Sequence, residues 1–152
     1  MIMRYFYTFL FLFVISACSQ SSSDDNSSAK TELEGVWKRC ESYPDQTYGK
    51  IMKFSGNKYT FTSLIYLDSN CTTVEDVWFE STRTFKIGDE ITTDSGLTAK
   101  EIDVIDSDGE TRLDIYLIES NNLFLGGNIN GDAVMEGRPT DLHFEAVYEK
   151  QG

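Results

Sequence analysis

The sequence has few of the residues that catalytic sites and nucleic-acid-binding surfaces usually need. His143 is its only histidine, and there is no Gly-x-Ser-x-Gly nucleophile motif, no phosphate-binding glycine loop and no Cys-x-x-Cys pair. Basic residues are scarce, since 13 Lys and Arg stand against 25 Asp and Glu, for a net charge of -12. Nucleic acids are bound by clustered cations, so this balance argues against DNA or RNA as a partner. We therefore expect no enzyme activity, no metal site and no cofactor.

Helical periodicity is also lacking, because no window repeats its apolar residues every three or four positions. From residue 34 to residue 150 the dominant period is two, which is typical of strands with one buried face. Gly, Asn and Asp separate the runs, and these residues suit hairpin turns, so consecutive antiparallel strands are predicted. The clearest apolar faces are formed by Tyr59, Phe61, Ile65 and Leu67 and by Val77, Phe79, Phe85 and Ile87.

The number of strand-like runs indicates the fold class. Short strands with regular turns fit a sandwich or a barrel, and closure into a barrel is favoured because it removes exposed strand edges. The predicted fold is therefore all-β, with residues 34–150 forming a single antiparallel β-barrel of about eight strands. Besides the two runs above, strands are predicted at residues 35–40, 48–54, 97–105, 113–118, 122–125 and 141–148.

Residues 1–17 have the layout of a secretory signal peptide, with one early cation, an apolar run at 9–15 and two small residues. The run is too short to span the ~30 Å hydrocarbon core of a membrane, which needs about 20 residues. Residues 15–18, Ile-Ser-Ala-Cys, resemble the bacterial lipobox, which implies cleavage before Cys18 and acylation of its thiol. The alternative is an ordinary secreted protein in which Cys18 only happens to follow the cleavage site.

Residues 18–33 are predicted to form a flexible tether, because they contain a polar run at 19–28 with no core-forming side chain. The acid excess of the chain repels anionic headgroups, so we expect attachment to the membrane through acyl chains on Cys18. Ser19 directly after Cys18 resembles lipoproteins sorted to the outer membrane. The expected location is the bacterial envelope at the outer membrane, with the periplasmic or surface face left open.

Two cysteines remain in the folded part, Cys40 and Cys71. Export would place them in an oxidising compartment, where an even pair usually forms a disulfide. The alternative is a redox or metal site, for which the chain lacks the usual partner residues. A structural disulfide closing a loop of about 30 residues is therefore predicted.

Motifs in the first part of this region resemble a known family. They are Gly-Val-Trp at 35–37 with Cys-Glu at 40–41, Phe-Ser-Gly-Asn at 54–57 and Tyr-Leu-Asp-Ser-Asn-Cys-Thr at 66–72. Together they look like the extracellular domain of the adenomatosis-polyposis-coli-down-regulated proteins, which are lipocalin-like β-barrels. The resemblance implies that Trp37 plugs one end of the barrel and that Cys40 and Cys71 form the family disulfide. It covers residues 34–105, and no role is assigned to residues 126–141.

The apolar face of these strands raises two hypotheses about function. A cavity inside the barrel would make the protein a tethered binder of a small hydrophobic or lipidic ligand. The alternative is that the side chains fill the barrel, as in many eight-stranded barrels, so that the domain acts through its outside as an envelope structural or protein-interaction module. Candidate cavity-lining residues are Met52, Phe54, Tyr59, Phe61, Ile65, Phe79, Arg83 and Phe85.

Polar residues at three positions have competing interpretations. Arg83 shares the apolar face, so it either holds a ligand carboxylate, forms an internal salt bridge or is turned outward by a bulge. Asp106-Ser107-Asp108-Gly109 resembles the start of a calcium loop, but the third acidic position and the distal Glu are missing, so a plain hairpin is predicted. His143 lies in the predicted 141–148 strand and is expected to point away from its buried face.

Overall fold

The computed structural model describes residues 30–131 and 136–152. The predicted signal peptide, Cys18 and most of the predicted tether lie outside these residues. The described chain is all-β, and its eight strands form one closed antiparallel barrel in sequence order, which confirms the predicted fold. The strands are β1 (Gly35–Ser42), β2 (Thr47–Ser55), β3 (Lys58–Tyr66), β4 (Val74–Thr92), β5 (Thr98–Ile105), β6 (Thr111–Glu119), β7 (Asn122–Leu125) and β8 (Tyr148–Gln151).

Tight turns and one long-range pairing close the ring. The two residues between β6 and β7, Ser120 and Asn121, have φ values of 51° and 67°. Positive φ at both central positions is what a type I′ hairpin turn requires, and Asn tolerates it well. The ring closes where β1 pairs with β8, with Trp37 opposite Lys150. Within residues 30–131 and 136–152, no helix is long and apolar enough to cross a bilayer.

The side chains that point into the barrel form one buried cluster. Two members come from connecting segments, Leu33 before β1 and Ile129 after β7. Leu33 had been assigned to the tether, but it is fully buried, so the folded part begins earlier than the predicted boundary at residue 34. Burying a leucine side chain contributes about 1.5–3 kcal/mol, which explains why the segment is held. The strand members are Trp37, Met52, Phe54, Tyr59, Phe61, Phe85, Ile102, Val104, Tyr116, Leu123, Leu125 and Tyr148.

The strand β4 departs from simple alternation. Val77 and Phe79 were predicted on the buried face, but they are 53% and 46% exposed. Ser63 pairs with Phe79 whereas the next residue, Leu64, pairs with Val77, so Trp78 is an extra residue in β4. Such a bulge shifts the phase of the residues before it, which turns Val77 away from the buried face. Phe79 follows the bulge and keeps the phase of Phe85, so it is exposed because it lines an open pocket. Leu67, predicted on the same apolar face of the preceding strand, is also exposed because it lies beyond the end of β3.

The predicted strand at 141–148 is wrong, because β8 begins only at Tyr148. Residues 136–147 instead run over the outside of the barrel, where Leu142 packs against Ala99 and Ile115. The Asp94 N–H donates to the Thr140 carbonyl at 2.9 Å, and the His143 N–H donates to the Leu125 carbonyl at 2.7 Å. Leu142 is therefore buried on the outer wall. His143 does not lie on an alternating strand.

A disulfide joins Cys40 and Cys71, with their Cα atoms 6.0 Å apart, which confirms the predicted pair. Cys40 pairs with Gly49 across the sheet, on the face opposite to that of buried Trp37, so the bridge lies on the outer wall. It fixes the loop at 67–73 over Tyr66, whose ring lies against Gly49. A Cβ at position 49 would collide with that ring, so this close packing requires glycine.

Candidate functional site

The barrel has two ends that differ in character. At one end, which we call the closed end, the chain enters β1. At the other, which we call the mouth, the loops 43–46, 67–73 and 106–110 and the start of the long segment 126–147 meet. This arrangement follows from the antiparallel strand order, which places alternate connections at opposite ends.

The closed end is sealed by the residues before β1. Trp37 is fully buried, and its Nε1–H donates to the Leu33 carbonyl at 2.7 Å. The Glu32 carboxylate accepts hydrogen bonds from the Tyr116 hydroxyl at 2.8 Å and from the Lys100 ammonium group at 3.1 Å. Burial alone would raise the pKa of Glu32, but these hydrogen bonds outweigh it and lower the pKa. The structure thus places Trp37 at the end covered by its own chain.

The mouth is filled by residues 126–131, which we call the plug. Ile129 of the plug is buried in the core cluster. Its N–H donates to Asp114 Oδ2 at 2.9 Å, and its carbonyl accepts a hydrogen bond from the Tyr59 hydroxyl at 3.2 Å. The Asn128 amide donates to the carbonyls of Leu113 and Gly137 at 2.9 and 2.8 Å. Backbone groups of a loop inside a barrel need such partners, and Asp114 and Tyr59 supply them.

Asp114 is the charged group most deeply buried near the plug. It is fully inaccessible, and burial raises the pKa of its carboxyl to about 6, although hydrogen bonds from backbone N–H groups, including those of Ile129 and Ile115, act to lower it. Gly126 lies directly beside it, because a Cβ at this position would collide with the Asp114 carboxylate and with Pro139. Burial likewise raises the pKa of Tyr59 far above its usual range, which keeps its hydroxyl protonated as a donor.

The predicted cavity-lining residues fall into two main groups, those buried in the core and those that line a pocket at the mouth. The core cluster that includes Ile129 and Leu33 contains Met52, Phe54, Tyr59 and Phe85, whose side chains are at most 4% exposed. Ile65 is half-buried. Phe61 and Phe79 line a pocket of about 390 Å³ that opens at the mouth, and we call it the mouth pocket. Its other lining residues are Lys50, Ser63, Trp78, Asn130 and Gly131.

Arg83 forms an ion pair inside its own chain. Its guanidinium group contacts the Asp106 carboxylate, which also accepts from Arg112 Nε at 3.2 Å. Of the three interpretations, this arrangement is the internal salt bridge. Arg83 and Asp106 line a separate surface groove with Lys58, so the cation does not face the mouth pocket.

The acidic stretch at the β5–β6 turn is a hairpin. The Asp106 N–H donates to the Glu110 carbonyl at 2.8 Å, and the Gly109 N–H donates to the Asp106 carbonyl at 3.0 Å. The third acidic position, expected to be missing, is occupied by Glu110, and carboxylate oxygens of Asp106, Asp108 and Glu110 lie within 4.8 Å of one another. Because Asp106 is paired with two arginines and Asp108 accepts the Glu110 N–H at 3.1 Å, turn formation and ion pairing account for these residues.

Large apolar side chains are exposed around the mouth. Trp78, 69% exposed, reaches across it so that its ring centre is 6.1 Å from that of Tyr48. Exposed apolar surface of this kind marks interaction sites in soluble domains. We call this surface the mouth patch, and it consists of Tyr43, Leu67, Val74, Val77, Trp78 and Phe79.

Sequence reasoning missed the plug and Asp114. The plug sequence, Gly-Gly-Asn-Ile-Asn-Gly, is typical of a turn, and nothing in it indicates that Ile129 enters the core. Asp114 carries no signal either, because it separates Leu113 and Ile115 on a predicted strand and so falls on the face opposite to theirs. Comparison of the chain with protein-family models, curated proteins and solved structures found no match. The functional argument therefore depends on the geometry of the mouth.

Proposed function

We propose that the protein is a membrane-tethered envelope lipoprotein whose packed barrel binds other proteins through the surface around its mouth. One observation carries the proposal: Ile129 and Leu33 from the connecting segments are buried among the inward-pointing strand side chains, while a group of large apolar side chains stays exposed at the mouth. Filled barrels offer no interior for a guest, and exposed apolar patches favour contact with other molecules.

The membrane attachment is supported by the lipobox-like residues 15–18 and by the position of the first buried residue. Because Leu33 enters the core at the closed end, the chain leaves the barrel on the side opposite to the mouth. A tether of about 13 residues with the flexibility predicted from the sequence would reach roughly 20 Å. The mouth would then face away from the membrane, where partner proteins can approach it.

Attachment is tested with Cys18→Ser in the native bacterium. Wild-type protein is expected in the membrane fraction with acyl chains on its N-terminal cysteine, as read by mass spectrometry of the N-terminal peptide. The variant is expected to lose both the acyl groups and the membrane association, since two or three chains are needed for stable anchoring. The double variant Cys40→Ser with Cys71→Ser serves as the matched control and should remain acylated. Acylation of the Cys18→Ser protein would refute the assignment.

Protein binding is tested with Val77→Ser combined with Trp78→Ser. Both side chains are exposed, so the core is untouched. Cross-linking in intact cells, quantified by mass spectrometry against wild type, should show adducts reduced by about tenfold or more, which corresponds to 1.4 kcal/mol. Leu97→Ser combined with Phe144→Ser removes exposed apolar surface elsewhere and should retain the adducts. Equal adducts for both double variants would contradict the proposal.

The mouth pocket supports a second candidate, the binding of a small hydrophobic or lipidic ligand. Its volume of about 390 Å³ falls within the range of ligand pockets, and Phe61, Trp78 and Phe79 give it an aromatic wall. A ligand would then sit at the mouth, above the plug, and not deep in the barrel. Native mass spectrometry of protein purified from its own membranes would show a co-purifying molecule that Phe79→Asp loses. Protein that carries no adduct would exclude this candidate.

A further inference from the structure

The strand β4 extends well beyond its neighbour β5. It has 19 residues, whereas β5 has 8 and pairs only with the part of β4 from Thr84 to Thr92. Residues 74–83 pair with β3 on one side. Within the described ranges, no backbone hydrogen bond joins residues 74–83 to a segment other than β3. This stretch is a free strand edge on an otherwise closed barrel, and we call it the β4 edge.

A free edge presents unpaired backbone groups. In an antiparallel pair, alternate residues direct both N–H and C=O toward the same neighbour, so about half of the ten residues in the β4 edge have both groups available to a new strand. Residues 74–80 are all exposed, which leaves the edge accessible. Between the bulge at Trp78 and the start of β5 pairing, Phe79 to Arg83 keep a regular register with β3, which suits continuation of the sheet.

The charges on the β4 edge indicate which strand could join it. Glu75, Asp76 and Glu80 are acidic and exposed. The one cation of this stretch, Arg83, is paired with Asp106. A second copy of the chain would bring acids against acids, and like charges opposite each other destabilise a strand pair. A strand carrying Lys or Arg would meet opposite charge instead.

The apolar residues beside the edge add a site for a partner side chain. Trp78 and Phe79 belong to the β4 edge and also line the mouth pocket. A strand added there would direct alternate side chains toward the mouth, where the pocket accepts an apolar group. Recognition by strand addition commonly takes affinity from main-chain hydrogen bonds and specificity from such pockets.

We propose that the β4 edge binds an extended, basic segment of a partner protein as an additional β-strand, with an apolar side chain of that segment in the mouth pocket. This inference rests on the proposed protein-binding function and specifies its geometry and the chemistry of the partner. The acids select a cationic partner and discourage self-association, while the exposed apolar residues supply contact area.

The test uses full-length protein in detergent and three synthetic ten-residue probes. The first alternates lysine and valine, the second alternates glutamate and valine, and the third is the lysine probe with N-methyl groups on alternate amides, which removes backbone donors but keeps the side chains. Fluorescence anisotropy should show the lysine probe binding more than about tenfold tighter than either of the others. Hydrogen exchange should slow at residues 74–83 when the lysine probe is bound.

Charge reversal provides the matched variants. Glu75→Lys combined with Glu80→Lys should weaken binding of the lysine probe and strengthen binding of the glutamate probe. Asp89→Lys combined with Glu90→Lys makes the same change in net charge further along β4, beyond the free edge, and should leave both affinities unchanged. Equal effects of the two double variants would show a general charge effect and would overturn the inference.

Other results also decide the question. Strand addition would be overturned if the N-methylated probe bound as tightly as the unmodified lysine probe. It would also be overturned if hydrogen exchange slowed outside the β4 edge. So would a concentration-dependent dimer that is lost in the Glu75→Lys, Glu80→Lys variant, since a second copy would then be the occupant. The proposed function itself fails only if the Val77, Trp78 variant keeps its cellular adducts, so the two failures can be told apart.

Discussion

Replacing Asp114 with Asn should change how the stability of the protein depends on pH. The carboxyl group is fully buried, and its folded-state pKa of about 6 lies above the ordinary value of 3.8. A raised pKa means that the fold binds the proton more tightly than the unfolded chain does. The stabilising contribution is therefore complete below about pH 4 and is lost as the pH rises through 6.

The size of the effect follows from the shift. A change of about two pKa units corresponds to about 3 kcal/mol in the free energy of unfolding, at 1.36 kcal/mol per unit. Asn cannot titrate, so the variant lacks this pH-dependent part. The stability difference between wild type and Asp114→Asn should therefore be larger at pH 4 than at pH 7.5, by about 2–3 kcal/mol. The contributions of other titrating groups to stability cancel in the comparison, because both proteins contain those groups.

Urea unfolding followed by tryptophan fluorescence would measure this difference. Trp37 is buried and Trp78 exposed, so a Trp78→Phe background leaves Trp37 as the reporter of core unfolding. The exposed Asp89→Asn substitution supplies the control for removing one carboxyl group without disturbing the core. If the Asp114→Asn difference is independent of pH, then burial does not hold the proton on Asp114, and the reasoning about the plug site is refuted.

Three further features of the packing can be tested by substitution: the plug, the disulfide and the contact of Gly49 with Tyr66. Ile129→Ala should lower the free energy of unfolding by about 2–5 kcal/mol, because it leaves a cavity in the core. A loss under about 1 kcal/mol in urea titration would mean that the plug does not belong to the core. Cys40→Ser with Cys71→Ser should cost about 3–4 kcal/mol under oxidising conditions and nothing under reducing conditions, which thermal unfolding with and without dithiothreitol would check. Gly49→Ala should lower the free energy of unfolding by about 1–3 kcal/mol, because its Cβ collides with Tyr66. Adding Tyr66→Ala to the same chain should relieve part of that loss, as measured by urea titration.

The strands could be predicted because alternation along them is strong. In β3, Tyr59 and Phe61 face the core while Thr60 and Thr62 do not, as the period of two requires. The disulfide could be predicted because only two cysteines remain in the folded part, so no alternative pairing existed within it. These features depend on local pattern and on composition, which the sequence displays directly.

Features that depend on the outside of the barrel could not be predicted. Leu64 and Tyr66 alternate with the predicted apolar face of Tyr59, Phe61, Ile65 and Leu67, so a period of two places them in solvent, but the 67–73 loop covers them. Leu142 likewise packs on the outer wall, so the segment 141–148 around it was wrongly predicted to be a strand. A simple alternation rule assumes that one face of a strand is buried and the other is exposed to solvent. It fails wherever a loop covers the second face.

At the mouth, prediction failed because the contacts are distant along the chain. Ile129 is 70 residues from Tyr59, whose hydroxyl donates to its carbonyl. The exposed position of Val77 follows from an extra residue in β4, and bulges leave no clear trace in the spacing of apolar residues. Arg83 was recognised as a cation needing a partner, but Asp106 could be identified only in three dimensions.

The contact between β1 and β8 joins Val36 with Gln151 and Lys38 with Glu149, which are more than a hundred positions apart. A growing chain can form its early hairpins, yet the ring stays open until these late residues have been synthesised. Slow, non-local pairing of this kind delays folding. If the chain is exported as proposed above, this topology would postpone closure of the ring until the last residues have crossed the membrane.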